Sequence, residues 1–265
     1  MYSKFQLAKK YIQYYLTAGN GKGHGVHSPF VFEFITEVLR DKKIYPYYTP
    51  VEKQRQQLLR DNTIIEIEDF GAGSAVMKSN KRRIKNIAAS SLKPKKFAQL
   101  LARMAQHYKP AAILELGTSL GITTSYLAKG NEQGKVFTCE GSSAIASIAQ
   151  KNFDILNIKN TTLIEGDFAK TVQPLLEKVG KIDLAFIDGN HRKDPTIGYF
   201  KQLLAASGSS TIMIFDDIHW SEEMDAAWNY IQYHPSVTLT IDLFFIGIVL
   251  VDPGIKTKQH FTIRF

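Results

Sequence analysis

Residues 111–128 read AAILELGTSLGITTSYLA, an apolar run that closes on a glycine turn and passes straight into a helical pattern. Four runs of the same kind follow: KVFTCEG (135–141), TTLIEGD (161–167), KIDLAFIDG (181–189) and STIMIFDD (210–217). Apolar runs that finish in Gly or an acid are the pattern of buried parallel strands. Helix-length segments separate them, among them SSAIASIAQKNFDILN (142–157) and DFAKTVQPLLEKVG (167–180). Strand–helix alternation implies right-handed βαβ crossovers and a doubly wound sheet. Beyond the helical SEEMDAAWNYIQYH (221–234), VTLTIDLF (237–244) and IGIVLVD (246–252) lie too close together for a crossover. Only an antiparallel hairpin fits so short a link. The expected fold is therefore α/β: a doubly wound, mostly parallel seven-stranded sheet with a C-terminal antiparallel hairpin.

Upstream of this core the chain reads differently. KFQLAKKYIQYYLTA (4–18) has helical spacing, and GNGKGHG (19–25), with His24 and then His27 flanking the turn, breaks it. SPFVFEFITEVLRDKK (28–43) resumes a helix, with Ser28 as N-cap and Pro29 at the first helical position. IYPYYTP (44–50) is an aromatic turn, TIIEIEDFGAGS (63–74) a strand ending in a turn, and residues 78–110 a basic run whose second half is an amphipathic helix. The expected division is a helical, basic arm over 1–88 and a ligand-binding domain over 89–265.

Composition narrows the class. Apolar residues make up 44% of the 265 and charged residues 22%, a globular balance that excludes a disordered or fibrous chain. The single cysteine, Cys139, excludes a disulfide framework and a cysteine zinc cluster. No run approaches the ~18 apolar residues of a membrane span, and the start lacks the apolar core of a signal peptide. A soluble cytoplasmic protein with no membrane partner is expected. The net charge of +8 is uneven: 20 Lys/Arg against 8 Asp/Glu in residues 1–110, and 13 against 17 in residues 111–265. A basic front half suits either an anionic partner or a solvated helical surface.

Two glycine turns compete for a ligand: Asp69-Phe-Gly-Ala-Gly-Ser74 and Glu115-Leu-Gly-Thr-Ser-Leu-Gly121. A nucleotide loop joins the first strand to its helix, with a ribose-binding acid about 20 residues on at the end of the second strand. Glu140 meets that requirement after Glu115; no acid or strand does after Asp69. The 69–74 turn is therefore read as structural. Dinucleotide binding wants G-x-G-x-x-G, and here the middle glycine is missing from Gly117-Thr-Ser-Leu-Gly121. Glu115 is also a poor neighbour for a pyrophosphate and a good one for a cation. S-adenosylmethionine carries a sulfonium and an ammonium, has no phosphate, and keeps a ribose for Glu140 to hold. An NAD-type oxidoreductase is the weaker reading, and the terminal hairpin also counts against it.

ILELGTSLGITTSYLA resembles motif I of the class I S-adenosylmethionine-dependent methyltransferases, in particular the catechol and caffeoyl-CoA O-methyltransferase group and its bacterial branch. FTCEGS, IEGDF, LAFIDGNH and MIFDDIHW follow in family order, so the resemblance spans about residues 90–252. It implies a Rossmann-like fold and assigns residues in turn. Glu115, Gly117, Thr118, Ser119, Gly121 and Thr123 line the methionine end of the donor. Glu140 takes the ribose hydroxyls, with Gly141 and Ser142 beside the adenine and Asp167 and Phe168 bordering it. Asp188 stands near the sulfonium and the incoming nucleophile. As alternatives to these roles, acids after strands also serve as helix caps.

Catechol-type enzymes remove the acceptor proton with the help of a divalent metal on two Asp and an Asn. Asp188 and Asp216 match the first two ligands, and Asp217 stands in place of the Asn, a set open to Mg²⁺ or another divalent cation. The other bases are His191 and His219, which follow those acids and have the side-chain pKa suited to neutral pH. Acceptor choice stays open. Tyr45, Tyr47, Tyr48, Phe30 and Phe32 suit a small aromatic hydroxyl compound, placed first. The basic run from Lys78 to Lys96 suits RNA or another anion, and a protein acceptor or a non-catalytic S-adenosylmethionine-binding role are further readings. The aromatic arm suits a homodimer.

Overall fold

The computed structural model describes residues 1–19, 21–23, 27–67 and 80–265. His24, the 69–74 turn and Lys78 lie outside the described residues. In chain order the elements are α1 (Lys4–Thr17), α2 (Pro29–Glu33) running into a π-helix (Phe34–Leu39), α3 (Tyr48–Leu58), β1 (Ile64–Glu66), β2 (Lys81–Arg83), α4 (Ile84–Ser91) and α5 (Lys95–Tyr108). Strands and helices then alternate: β3 (Ala112–Leu116), α6 (Ile122–Gly130), β4 (Lys135–Glu140), α7 (Ser143–Ile155), β5 (Thr161–Glu165), α8 (Phe168–Val179), β6 (Ile182–Ile187), α9 (Lys193–Ala205), β7 (Ser207–Asp216) and α10 (Glu222–Tyr233). The chain closes with β8 (Leu239–Asp242), β9 (Ile246–Leu250) and β10 (Gln259–Thr262). The described residues form two compact units, Met1–Asp41 with Leu176–Phe265, and Lys42–Leu175.

In the 42–175 unit, β3, β4 and β5 pair in parallel in that order. Ile113, Leu114 and Leu116 of β3 are fully buried, as expected of a parallel strand covered on both faces. Helix α5 buries one stripe, with Phe97, Leu100, Leu101 and Met104 inward, and α3 buries Val51 and Leu58. The β1–β2 hairpin is antiparallel and mostly exposed.

In the other unit the strands run β10-β8-β9-β7-β6. Pairing is parallel for β6 with β7 and for β10 with β8, whereas β9 is antiparallel to both β7 and β8. The seven runs named between residues 111 and 252 all form strands, and the β8–β9 hairpin is antiparallel as expected. Three elements differ from the sequence reading. The polar QHFT adds the edge strand β10, the basic KRR pairs as β2, and the charged YTPVEKQRQQL is the helix α3. The helix starting at Pro29 also widens to a π-helix at Phe34, where Phe34, Ile35, Val38 and Leu39 are all buried.

Candidate functional site

The glycine turn between β3 and α6 is held from three sides. Gly117 and Thr118 both donate their amide hydrogens to Cys139 O on β4, each at 3.0 Å, and Gly121 N donates to Thr118 O at 2.9 Å. Gly117 (φ 106°), Ser119 (φ 49°) and Gly121 (φ 76°) take left-handed backbone, which makes the reversal this tight. Register does the rest. β3 pairs with β4 so that Glu115 lies opposite Thr138, and Thr138 Oγ1 donates to Glu115 Oε2 at 2.6 Å. Thr124, in the first turn of α6, donates to the same oxygen at 2.5 Å. Glu115 is completely buried, so these two hydroxyls supply hydrogen bonds that water gives an exposed carboxylate. Thr118 is buried and its hydroxyl meets that of Thr138 at 2.5 Å; Thr123 is buried in the first turn of α6.

At the tip of β4, Glu140 reaches back over the turn. Its Oε2 accepts from Ser119 N at 2.8 Å and its Oε1 from Ser142 N at 3.0 Å. Burial raises the Glu140 pKa, and the amides of Ser142, Ser119 and Gly141 partly offset that rise. Ser142 is buried, and its hydroxyl has no hydrogen-bond partner among the described residues. Asp167 plays a local part: its carboxylate accepts from Ala169 N at 3.0 Å at the start of α8, next to Phe168, so the helix-cap role is present. Ser91 at the end of α4 adds a contact the sequence did not signal, its hydroxyl 2.8 Å from that of Ser119. Cys139 is buried, and desolvation followed by the Glu115 charge pushes its thiol up to about 12.

A second group forms in the other unit, at the carboxyl ends of β6 and β7. One oxygen each of Asp188 and Asp216 and one ring nitrogen of His191 all lie within 4.8 Å of one another. Asp216 is buried, and His191 Nε2 stands 3.4 Å from Asp188 Oδ1. The loop that presents the imidazole is tightly wound, with Asn190 (φ 70°) and His191 (φ 37°) both left-handed and Asn190 Nδ2 donating to the Tyr199 hydroxyl at 2.7 Å. Non-glycine residues hold such backbone only where their surroundings fix it. The donor atoms suit a divalent cation: ligands about 2.0–2.6 Å from one ion sit within roughly 5 Å of each other.

Asp217 and His219 do not join this group. Asp217 takes left-handed backbone (φ 52°) and its amide donates to Phe245 O at 2.7 Å, so the chain turns away immediately after Asp216. His219 is clamped at both ring nitrogens, Nδ1 by Asp225 at 2.6 Å and Nε2 by Asp242 at 2.7 Å, with the Phe244 ring beside it. Burial lowers its pKa, but the bonds and charges of Asp242 and then Asp225 outweigh that, and the net shift is upward. Both ring nitrogens of His219, expected from the sequence as a candidate base, are thus engaged by carboxylates.

Residues 114–218 match the family model of a methyltransferase domain. A catechol O-methyltransferase of Niastella koreensis is 30% identical over 163 residues, which span 60% of this chain and 72% of that protein. One from Mycobacterium tuberculosis is 27% identical over 159 residues, 60% of this chain and 69% of that protein. The chain belongs to the class I S-adenosylmethionine-dependent O-methyltransferases of the catechol/caffeoyl-CoA type. Its fold agrees: an O-methyltransferase from Bacillus cereus solved with S-adenosylhomocysteine superposes with a TM-score of 0.55 at 21% identity, covering 82% of this chain and 96% of that one. The methyl donor of this O-methyltransferase is S-adenosylmethionine. Among its described residues no helix is long and apolar enough to cross a membrane.

Sequence reasoning missed several residues that hold the candidate site residues in place. Thr124 and Thr138, which hold Glu115, were legible only through register and helical phase. Asp225 and Asp242, which occupy His219, lie 6 and 23 residues further along the chain.

Proposed function

We propose that this O-methyltransferase moves the methyl group of S-adenosylmethionine to a hydroxyl of a small-molecule acceptor, with Asp188, His191 and Asp216 as the acceptor-handling residues. The grouping of those three side chains within 4.8 Å carries the proposal. In an in-line displacement the acceptor oxygen attacks the methyl carbon, the carbon–sulfur bond breaks, and its electron pair returns to sulfur to give S-adenosylhomocysteine. The hydroxyl proton must leave, and His191 Nε2, close to Asp188, is the base placed to take it. The Asp188 carboxylate steadies the imidazolium that results. Asp188, Asp216 and His191 would alternatively hold a divalent cation, which would lower the pKa of the acceptor hydroxyl, with His191 then a ligand and not the base. Their oxygen-rich set with one imidazole accommodates Mg²⁺ and suits Mn²⁺ better.

On the donor side, Glu140 holds the ribose hydroxyls, and the orphaned Ser142 hydroxyl beside it, with Gly141, faces the adenosine. Glu115 orders the Gly117–Gly121 turn, including Thr118, Ser119 and Thr123, and gives the methionine end a negative environment. Asp167 and Phe168 border the adenine. Residues 89–265 carry this chemistry and 1–88 form the arm. The test is transfer of labelled methyl from S-adenosylmethionine to a panel of aromatic hydroxyl compounds that includes catechol, with and without a chelator. Asp188→Asn, His191→Asn and Asp216→Asn are expected to lose transfer, and the last two to keep S-adenosylhomocysteine binding. Full turnover in all three variants would sink the assignment.

A further inference from the structure

Helix α1 has two apolar faces, and among the described residues only one of them is covered. The inner face carries Leu7, Tyr11, Tyr14 and Ala18 against Phe244 and Phe245. It is fastened at both ends: Tyr2 donates to Asp225 Oδ2 at 2.6 Å, Lys10 pairs with the same oxygen at 2.8 Å, and the Tyr14 hydroxyl donates to Ile263 O. The outer face carries Phe5, Ile12 and Leu16, spaced seven and four residues apart, and they are 81%, 59% and 72% exposed. At about 100° per residue these three fall on one line along the helix, with Tyr15 at its edge. Lys4 and Lys9 are exposed and flank the stripe on either side, with no ion-pair partner among the described residues. The helix contains no Asp or Glu.

We infer that the outer face of α1 is a docking surface for an anionic lipid bilayer, with Phe5, Ile12 and Leu16 entering the headgroup boundary and Lys4 and Lys9 meeting the acidic headgroups. An apolar stripe bordered by lysines is what an interfacial helix needs. A second copy of the chain fits less well. The helix has 14 residues, about 21 Å long and 10 Å wide, a footprint of roughly 200 Å² against the ~800 Å² per partner of a stable interface. With no acid on the helix, two copies bring lysines together and offer them nothing. A bilayer supplies both the apolar depth and the charge. The expectation of no membrane partner rested on the lack of a spanning segment, which peripheral docking does not require.

The test uses the full chain and sedimentation with sucrose-loaded vesicles of equal parts phosphatidylcholine and phosphatidylglycerol, beside vesicles of phosphatidylcholine alone. Wild type is expected to sediment with the anionic vesicles and not the neutral ones, and less so in high salt. Lys4→Gln/Lys9→Gln is expected to weaken binding roughly twenty-five-fold, about fivefold per lysine. Phe5→Ser/Leu16→Ser is expected to abolish it, while S-adenosylhomocysteine titration shows that both variants remain folded. Absence of binding to the anionic vesicles overturns the inference, as does binding indifferent to vesicle charge. A dimer in sedimentation velocity that Phe5→Ser/Leu16→Ser converts to monomer assigns the stripe to a second copy and overturns it too.

Discussion

Replacing Gly121 by alanine probes the turn on which the proposed donor site depends. Gly121 sits at φ +76°, a conformation that costs an L-residue roughly 1–2 kcal/mol. A Cβ there would stand 2.6 Å from Phe153 Cε1, 3.1 Å from Phe153 Cζ and 3.2 Å from the Ala149 methyl. Phe153 and Ala149 are fully buried in α7 and cannot withdraw without disturbing the core. Overpacking of that kind costs about 1–3 kcal/mol, so the two effects together make ~2–5 kcal/mol. Because the turn positions Ser119 N against Glu140, S-adenosylhomocysteine affinity should also fall by about tenfold or more, a loss of at least ~1.4 kcal/mol in binding. The assay is urea unfolding followed by circular dichroism, with calorimetric titration of S-adenosylhomocysteine. Gly198, inside α9 with no heavy atom within 4 Å of a Cβ, is the control: Gly198→Ala should stabilise by about 1 kcal/mol. An unfolding midpoint for Gly121→Ala equal to wild type, with unchanged affinity, would refute the reasoning.

Other perturbations follow from the same geometry. Thr138→Val removes one of the two hydroxyls on the buried Glu115 carboxylate, and unfolding should show a loss of about 1–3 kcal/mol. The clamp on His219 makes stability depend on pH. Its raised folded pKa gives a contribution present below the unfolded value of about 6.5 and lost as pH rises through the folded value, and His219→Gln should flatten that alkaline limb of the urea midpoint. Burial alone would raise the pKa of Asp225, but the bonds from His219, Lys10 and Tyr2 bring it down, so its contribution holds above about 3.9 and fades as pH falls through the lowered value. Cys139, buried with its thiol pushed up to about 12, should resist a thiol-specific disulfide reagent in the native state and react promptly in denaturant.

The fold was legible where burial dominates. β3, β4, β6 and β7 are nearly covered, so their sequences are plain apolar runs, and the acids closing them mark where the chain emerges. The elements that escaped notice are the half-exposed ones. β10 is four residues long with three polar ones around Phe261, β2 carries three basic side chains, and α3 hides Val51 and Leu58 among charges. The site divides the same way. Glu115, Glu140, Asp188 and Asp216 are tied to strand ends, so the strand pattern showed where they lie, while the family resemblance supplied the roles expected of Asp188 and Asp216. Asp217 and His219 follow Asp216 just as closely along the chain, yet a single left-handed residue turns the backbone there, and Asp225 and Asp242 claim the imidazole. His191 reaches the acids because Asn190 and His191 wind back on Gly189, a conformation that spacing along the chain does not encode.

The most direct test of the donor site is calorimetric titration of S-adenosylhomocysteine, and separately of NADH, into wild type and Glu140→Ala. Saturable S-adenosylhomocysteine binding to wild type, its loss or severe weakening in Glu140→Ala, and no response to NADH are the expected results. Equal binding in both proteins would return Glu140 to the role of a helix cap, and a folded wild type that binds no S-adenosylhomocysteine would contradict the donor site as a whole.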